Sequence, residues 1–137
     1  MRRVRVLMLL WVLVLASAAC GKKAPPRPPK PAGLAAVNDL RAEIDGGAVR
    51  LTWTLPKGSS GLAGFIIERS GPEKDTCRDC PRAYAEMQRL PVASGIAGLR
   101  HMDGNLPGKG RFWYRVIPFD VKDRKGAESN EVSVTIE

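Results

Sequence analysis

The sequence predicts an all-β sandwich in its C-terminal three-quarters. Three observations carry this. Short runs alternate apolar and polar residues with period two, the signature of half-buried strands. Clusters of Gly, Pro, Asp, Asn and Ser separate those runs at regular intervals. No stretch shows sustained helical periodicity, and regularly spaced short strands with turn signals argue for a sandwich.

Leu40, Ala42 and Ile44 mark an early strand that stops at Asp45-Gly46-Gly47. In the next, Val49, Leu51 and Trp53 share one face while Arg50 and Thr52 share the other. Pro56 to Gly61 is a turn cluster. Phe65, Ile66 and Ile67 form the following strand, bounded by Gly64 and by Ser70-Gly71-Pro72. Tyr84 to Leu90 fits either one helical turn or a poorly patterned strand. Phe112 to Phe119 is the longest strand signal, with Phe112, Tyr114 and Val116 on one face and Trp113, Arg115 and Ile117 on the other. Val132, Val134 and Ile136 close the chain in strict alternation.

These runs resemble a fibronectin type III domain. "VNDLRAEIDGGAVRLTWTLP" is similar to that family's first two strands, with Trp53 at its core tryptophan, and "GLAGFIIERS" to its third. "LPGKGRFWYRVIPFDVKDRKGAESNEVSV" is similar to the end of the sandwich. The resemblance covers residues 33–137 and implies an immunoglobulin-like sandwich of about seven strands. It also implies a tyrosine where Phe112 stands, whose hydroxyl caps nearby backbone. Phenylalanine lacks that bond, worth about 0.5–1.5 kcal/mol, so the corner is expected to pack with less polar definition. If Tyr114 points inward, Trp113, Arg115 and Ile117 point outward. They are then either covered by a neighbouring insertion or form an interaction patch.

Ahead of the sandwich, residues 1–19 have the order of an export signal: Arg2, Arg3 and Arg5, then the apolar run Val6–Leu15, then small residues Ala16–Ala19. The apolar part is short of the roughly 20 residues that span a bilayer. Ala16-Ser17-Ala18 offers one cleavage site of the A-x-A kind. The stretch Leu15–Gly21 also resembles a bacterial lipoprotein signal, with Ser17 where that family usually has leucine. That resemblance implies cleavage before Cys20 and a lipid on its sulfur, and Gly21 after the cysteine implies the outer membrane, facing the periplasm. Residues 20–32 read as a tether. Ala24–Pro31 holds five prolines with Arg27 and Lys30, and such a run favours extended polyproline II at about 3.1 Å per residue.

The 137-residue chain carries a formal charge of +8, which falls to +5 once residues 1–19 are removed with their three arginines and no acid. Lys22, Lys23, Arg27 and Lys30 cluster beside Cys20. Basic charge there favours anionic headgroups, so the expected partners are membrane lipid through Cys20 and an envelope protein or glycan. Nucleic acid is the rival partner of a basic chain, but an exported chain rarely meets it.

Residues 70–91 read as an insertion carrying Cys77 and Cys80. In an exported protein two such cysteines most often form a disulfide, and closing so short a loop pins a local turn more than it stabilises a domain. A C-x-x-C pair also serves redox chemistry, but no thioredoxin-like βαβ context surrounds it. Structural zinc wants four ligands, for which His101 and Asp75, Asp79 or Asp103 are the available additions, unless two chains share a site.

No G-x-S-x-G, H-E-x-x-H or P-loop pattern occurs. A Ser–His–Asp arrangement would have to use His101, the single histidine, which sits in a probable edge segment. The chain is therefore read as non-catalytic, with no cofactor and no metal. The competing reading is a thiol-redox or metal-binding envelope protein using Cys77 and Cys80.

Overall fold

The computed structural model describes residues 33–58, 60–73, 81–92 and 98–137. Seven strands form: β1 (Arg41–Asp45), β2 (Ala48–Thr54), β3 (Leu62–Glu73), β4 (Ala85–Pro91), β5 (Gly98–Asp103), β6 (Gly110–Asp120) and β7 (Val132–Ile136). They make two antiparallel sheets, ordered β1-β2-β5 and β4-β3-β6-β7. No helix forms among the described residues. The expected all-β immunoglobulin-like sandwich of seven strands is the architecture found.

The alternation in β2 works as the sequence predicts. Val49, Leu51 and Trp53 are buried, and Arg50, Thr52 and Thr54 face the other way. Trp53 meets Phe65 of β3 edge-on, with ring centroids 5.6 Å apart and planes at 75°. That geometry places the positive ring edge of one aromatic on the negative face of the other. Ile67, Phe112, Tyr114 and Val116 complete the central contacts between the sheets.

The structure settles one open element and extends another. Tyr84–Leu90 resolves as strand β4, because Met87 and Leu90 pack on the core while Glu86 and Arg89 stay outside. Strand β3 does not stop at Ser70 but runs to Glu73, with a register shift beyond Ser70 where Glu73 pairs with Arg111. The 70–91 segment is therefore mostly strand at both ends, and the added connection is residues 74–84.

Strand direction gives the molecule two unlike poles. Strands β2, β4 and β6 end at the pole where Gly33 and Leu34 lie against Gly61, Asp120 and Val121. The first described residue, Gly33, therefore lies there. Strands β1, β3, β5 and β7 end at the far pole, and the connection holding Cys77 and Cys80 starts there.

Gly64 allows the closest approach in the fold. A Cβ at this position would lie 2.3 Å from the Leu90 carbonyl oxygen and 2.8 Å from the Phe119 ring. Gly64→Ala should destabilise the domain by about 1–3 kcal/mol, the usual cost of forcing atoms into a packed site, measured by chemical denaturation.

Candidate interaction site

The outward stripe of β6 is Trp113, Arg115, Ile117 and Phe119. In an ordinary sandwich this stripe would meet solvent. Here it is roofed by side chains from residues 82–89 of the preceding connection and β4. The Arg82 guanidinium lies 3.6 Å from the Trp113 ring centroid. The Arg115 guanidinium lies 4.0 Å from that of Tyr84. The pairing is reciprocal: Arg82-x-Tyr84 faces Trp113-x-Arg115, each arginine on the other strand's aromatic. Further along, Arg89 lies 5.3 Å from the Phe119 centroid. Stacks of this kind are worth about 0.5–2 kcal/mol each, rising as they are desolvated.

Carboxylates hold the arginines in place. Glu131 accepts from Tyr84 Oη at 2.7 Å and from Arg82 Nη1 at 3.3 Å. Arg115 donates to Glu68 at 2.7 Å and pairs with Glu128 at 2.7 Å, while Lys125 approaches Glu68 at 3.6 Å. Arg89 joins Glu86 and Asp123. Burial, and then the bond to Glu131, push the Tyr84 hydroxyl well above its ordinary pKa.

This roof decides between the two readings of the outward stripe. Ile117 is 4% exposed, in keeping with the covered alternative, and has little surface to offer a partner. Trp113 and Arg115 are half-buried. With Arg82 on Trp113 and Arg115 on Tyr84, the described aromatics leave no open platform on which a sugar ring could stack.

The buried polar centre lies between the sheets. Asp103, at the end of β5, is 2% exposed. Its Oδ2 accepts from Tyr114 Oη at 2.8 Å and Arg69 Nη1 at 2.7 Å, and its Oδ1 from the Asn105 amide at 3.2 Å. Burial, and then this bond to Asp103, hold the Tyr114 hydroxyl protonated far above its usual range. Sequence reasoning treats Asp103 as a turn former or metal ligand. The turn-former reading holds, since Oδ1 accepts from the Asn105 amide two residues on, while Oδ2 is committed to Arg69 and Tyr114, which bridge to it from the other sheet. The signal was present in the period-two series Leu99, His101, Asp103, whose partners Trp53, Leu51 and Val49 are core residues. Phe112, in turn, is fully buried with Arg69 5.7 Å from its ring centroid. The polar definition expected to be lost there is supplied two residues later by Tyr114.

His101 projects toward the core side of β5 and forms no hydrogen bond with a described residue. No serine–histidine pair assembles around it, and the described residues contain no cluster of three or more His, Cys, Asp or Glu able to hold a metal. Cys20, Asp75, Cys77, Asp79 and Cys80 lie outside the described residues.

Comparison with solved structures agrees on the fold. The fourth fibronectin type III domain of a human protein superposes with a TM-score of 0.55 at 11% identity, over 86% of this chain and 91% of that one. The third such domain of human KIAA0343 gives 0.52 at 14% identity, over 86% and 92%. Pectate lyase PelI from Erwinia chrysanthemi, solved with tetragalacturonic acid, gives 0.53 at 17% identity over 73% of this chain, which spans only 28% of the lyase. No protein-family model and no curated protein matches the chain. At these identities the likeness is one of fold, and that fold is fibronectin type III-like.

Two outcomes follow from this geometry. A double-mutant cycle on Arg82→Ala and Trp113→Ala should return a coupling energy of about 1 kcal/mol in equilibrium unfolding, since the stack is partly desolvated. His101 gives a pH signature. Burial lowers its pKa below the ordinary 6.5, against a smaller opposing pull from Asp103. The unfolded chain therefore binds the proton more readily, and stability declines as pH falls through 6.5 until the folded pKa is passed. Thermal melts of His101→Gln should lack that decline, whereas the carboxylates with lowered pKa, Asp39, Glu86 and Asp120, act only near pH 4 and below.

Proposed function

We propose that this protein is a lipid-anchored, non-catalytic interaction and spacing module of the bacterial cell envelope, held at the outer membrane and facing the periplasm. One observation carries the reading. An export-type segment ends at Cys20, a proline-rich basic string follows, and that string enters a β-sandwich at one pole. The placement suits a tethered module, with the chain fixed at one end and the far pole turned toward partners. The connection bearing Cys77 and Cys80 leaves β3 at that far pole, where a disulfide would pin its tip. The roof adds to the case by anchoring that connection through Arg82 and Tyr84. It also favours a protein partner over a glycan, because the described aromatic faces are already occupied by arginines.

Non-catalytic action accords with the described surface. Asp103 and Tyr114 are the most buried polar pair, and both are spent on holding the sheets together.

The anchor is tested by fractionation and intact mass. Wild-type protein should sediment with membranes and carry the mass of a diacylglyceryl-modified Cys20. Cys20→Ser should be released to the soluble periplasmic fraction after cleavage at the A-x-A site. Wild-type protein recovered soluble with unmodified Cys20 would overturn the reading.

A further inference from the structure

The two sheets differ in how much of their outer face is free. The four-stranded sheet is roofed, but the outer face of β1-β2-β5 carries no covering segment among the described residues. Toward the far pole this open face is neutralised, since Arg50 pairs with Glu43 at 3.2 Å and with Asp45 at 3.3 Å. Toward the tether pole it is not. Thr52 stands in register with Arg41 of β1 on one side and Arg100 of β5 on the other. Both arginines are exposed, and neither forms an ion pair with a described residue. Arg41 lies close enough to Asp39 to favour its ionised form, and that carboxylate, held by Thr54 through contacts of 2.6 and 3.2 Å, lines the same depression. The two arginines flank an open depression of about 540 Å³, floored by Thr52 and Thr54 and notched at Gly98, where no side chain fills the space.

We propose that the Arg41–Thr52–Arg100 row is a docking face for the phosphates of anionic lipid headgroups, laying the domain against the membrane on its open sheet. The inference rests on the membrane-anchor reading. Charge complementarity selects the occupant. The chain's own segment outside the structure is excluded, because Lys22, Lys23, Arg27 and Lys30 repel the same arginines. A second copy of a mature chain with net charge +5 is disfavoured for the same reason. Geometry permits the contact. The row lies in the half of the sheet nearest the pole where the tether enters, and residues 20–32 in polyproline form reach about 3.1 Å per residue. That is ample for the domain to lie on its side. Guanidinium groups offer forked donors suited to phosphate oxygens, and the Thr52 hydroxyl between them is a further donor. The roofed sheet then faces away from the membrane.

The test uses the mature chain, residues 20–137 with Cys20→Ser, so that no lipid on the protein contributes. Binding is measured by co-sedimentation with phosphatidylcholine vesicles with and without phosphatidylglycerol. The parent should bind only the phosphatidylglycerol vesicles. Arg41→Gln with Arg100→Gln should weaken that binding about 10- to 30-fold, as the loss of two surface charges predicts. A charge-matched control, Lys109→Gln with Arg111→Gln, removes two bases near the far pole and should bind like the parent. Arg41→Lys with Arg100→Lys keeps the charge and should recover most of the affinity. Equal loss in the two Gln pairs, unchanged binding in the Arg41/Arg100 pair, or a parent that ignores phosphatidylglycerol would each overturn the proposal. Failure here is separable from failure of the anchor, which is read from Cys20 mass and fractionation in the cell.

Discussion

Burial of β6 on both faces is the constraint to which the rest of the molecule answers. Its inward residues Phe112, Tyr114 and Val116 are fully buried in the sandwich core. Its outward residues include two aromatics and an isoleucine, which no exposed strand face would hold comfortably. A strand with two apolar faces needs three layers, and a simple sandwich supplies two. The extended connection between β3 and β4 supplies the third. It does so with arginines and tyrosine instead of a second hydrophobic core. Their flat guanidinium faces cover aromatic rings while their edges remain bonded to carboxylates. This solution keeps the outer surface charged and wettable while β6 stays dry beneath it.

The same strand couples the two sheets. Tyr114 reaches from β6 and Arg69 from β3 to the single carboxylate of Asp103 on β5. An unpaired buried carboxylate would be costly, so the three groups are mutually dependent. Asn130 makes a second tie between layers, accepting from the Leu40 amide at 3.0 Å and donating to its carbonyl at 2.9 Å. These directional bonds fix how the sheets align, which non-directional apolar packing leaves loosely specified.

The two outer faces are therefore chemically opposite. One is closed, with its cations already matched to acids and rings. The other is open among the described residues, where Arg41 and Arg100 form no ion pair, near the pole that holds Gly33 and Leu34.

Much of the fold is legible in the sequence because strand alternation is a local property. Val49-Leu51-Trp53, Phe112-Tyr114-Val116 and Val132-Val134-Ile136 each declare a buried face without reference to anything distant. The proline string and the export-type segment are equally local, being matters of composition. The weak patterning of Tyr84–Leu90 was ambiguous for the opposite reason. Its arginines and glutamates read as solvated charge, and only the presence of Trp113, Arg115 and Phe119 opposite them makes that face a roof. Asp103 was legible only in part: its bond to the Asn105 amide belongs to the local turn, but Arg69 and Tyr114 are brought to it from positions 34 and 11 residues away. The sequence by itself determined which residues alternate and where the chain turns. Which charges are spent on partners, and which remain free on the open sheet, only the tertiary structure decided, because an ion pair or a stacked ring depends on the register between strands that are far apart in the chain.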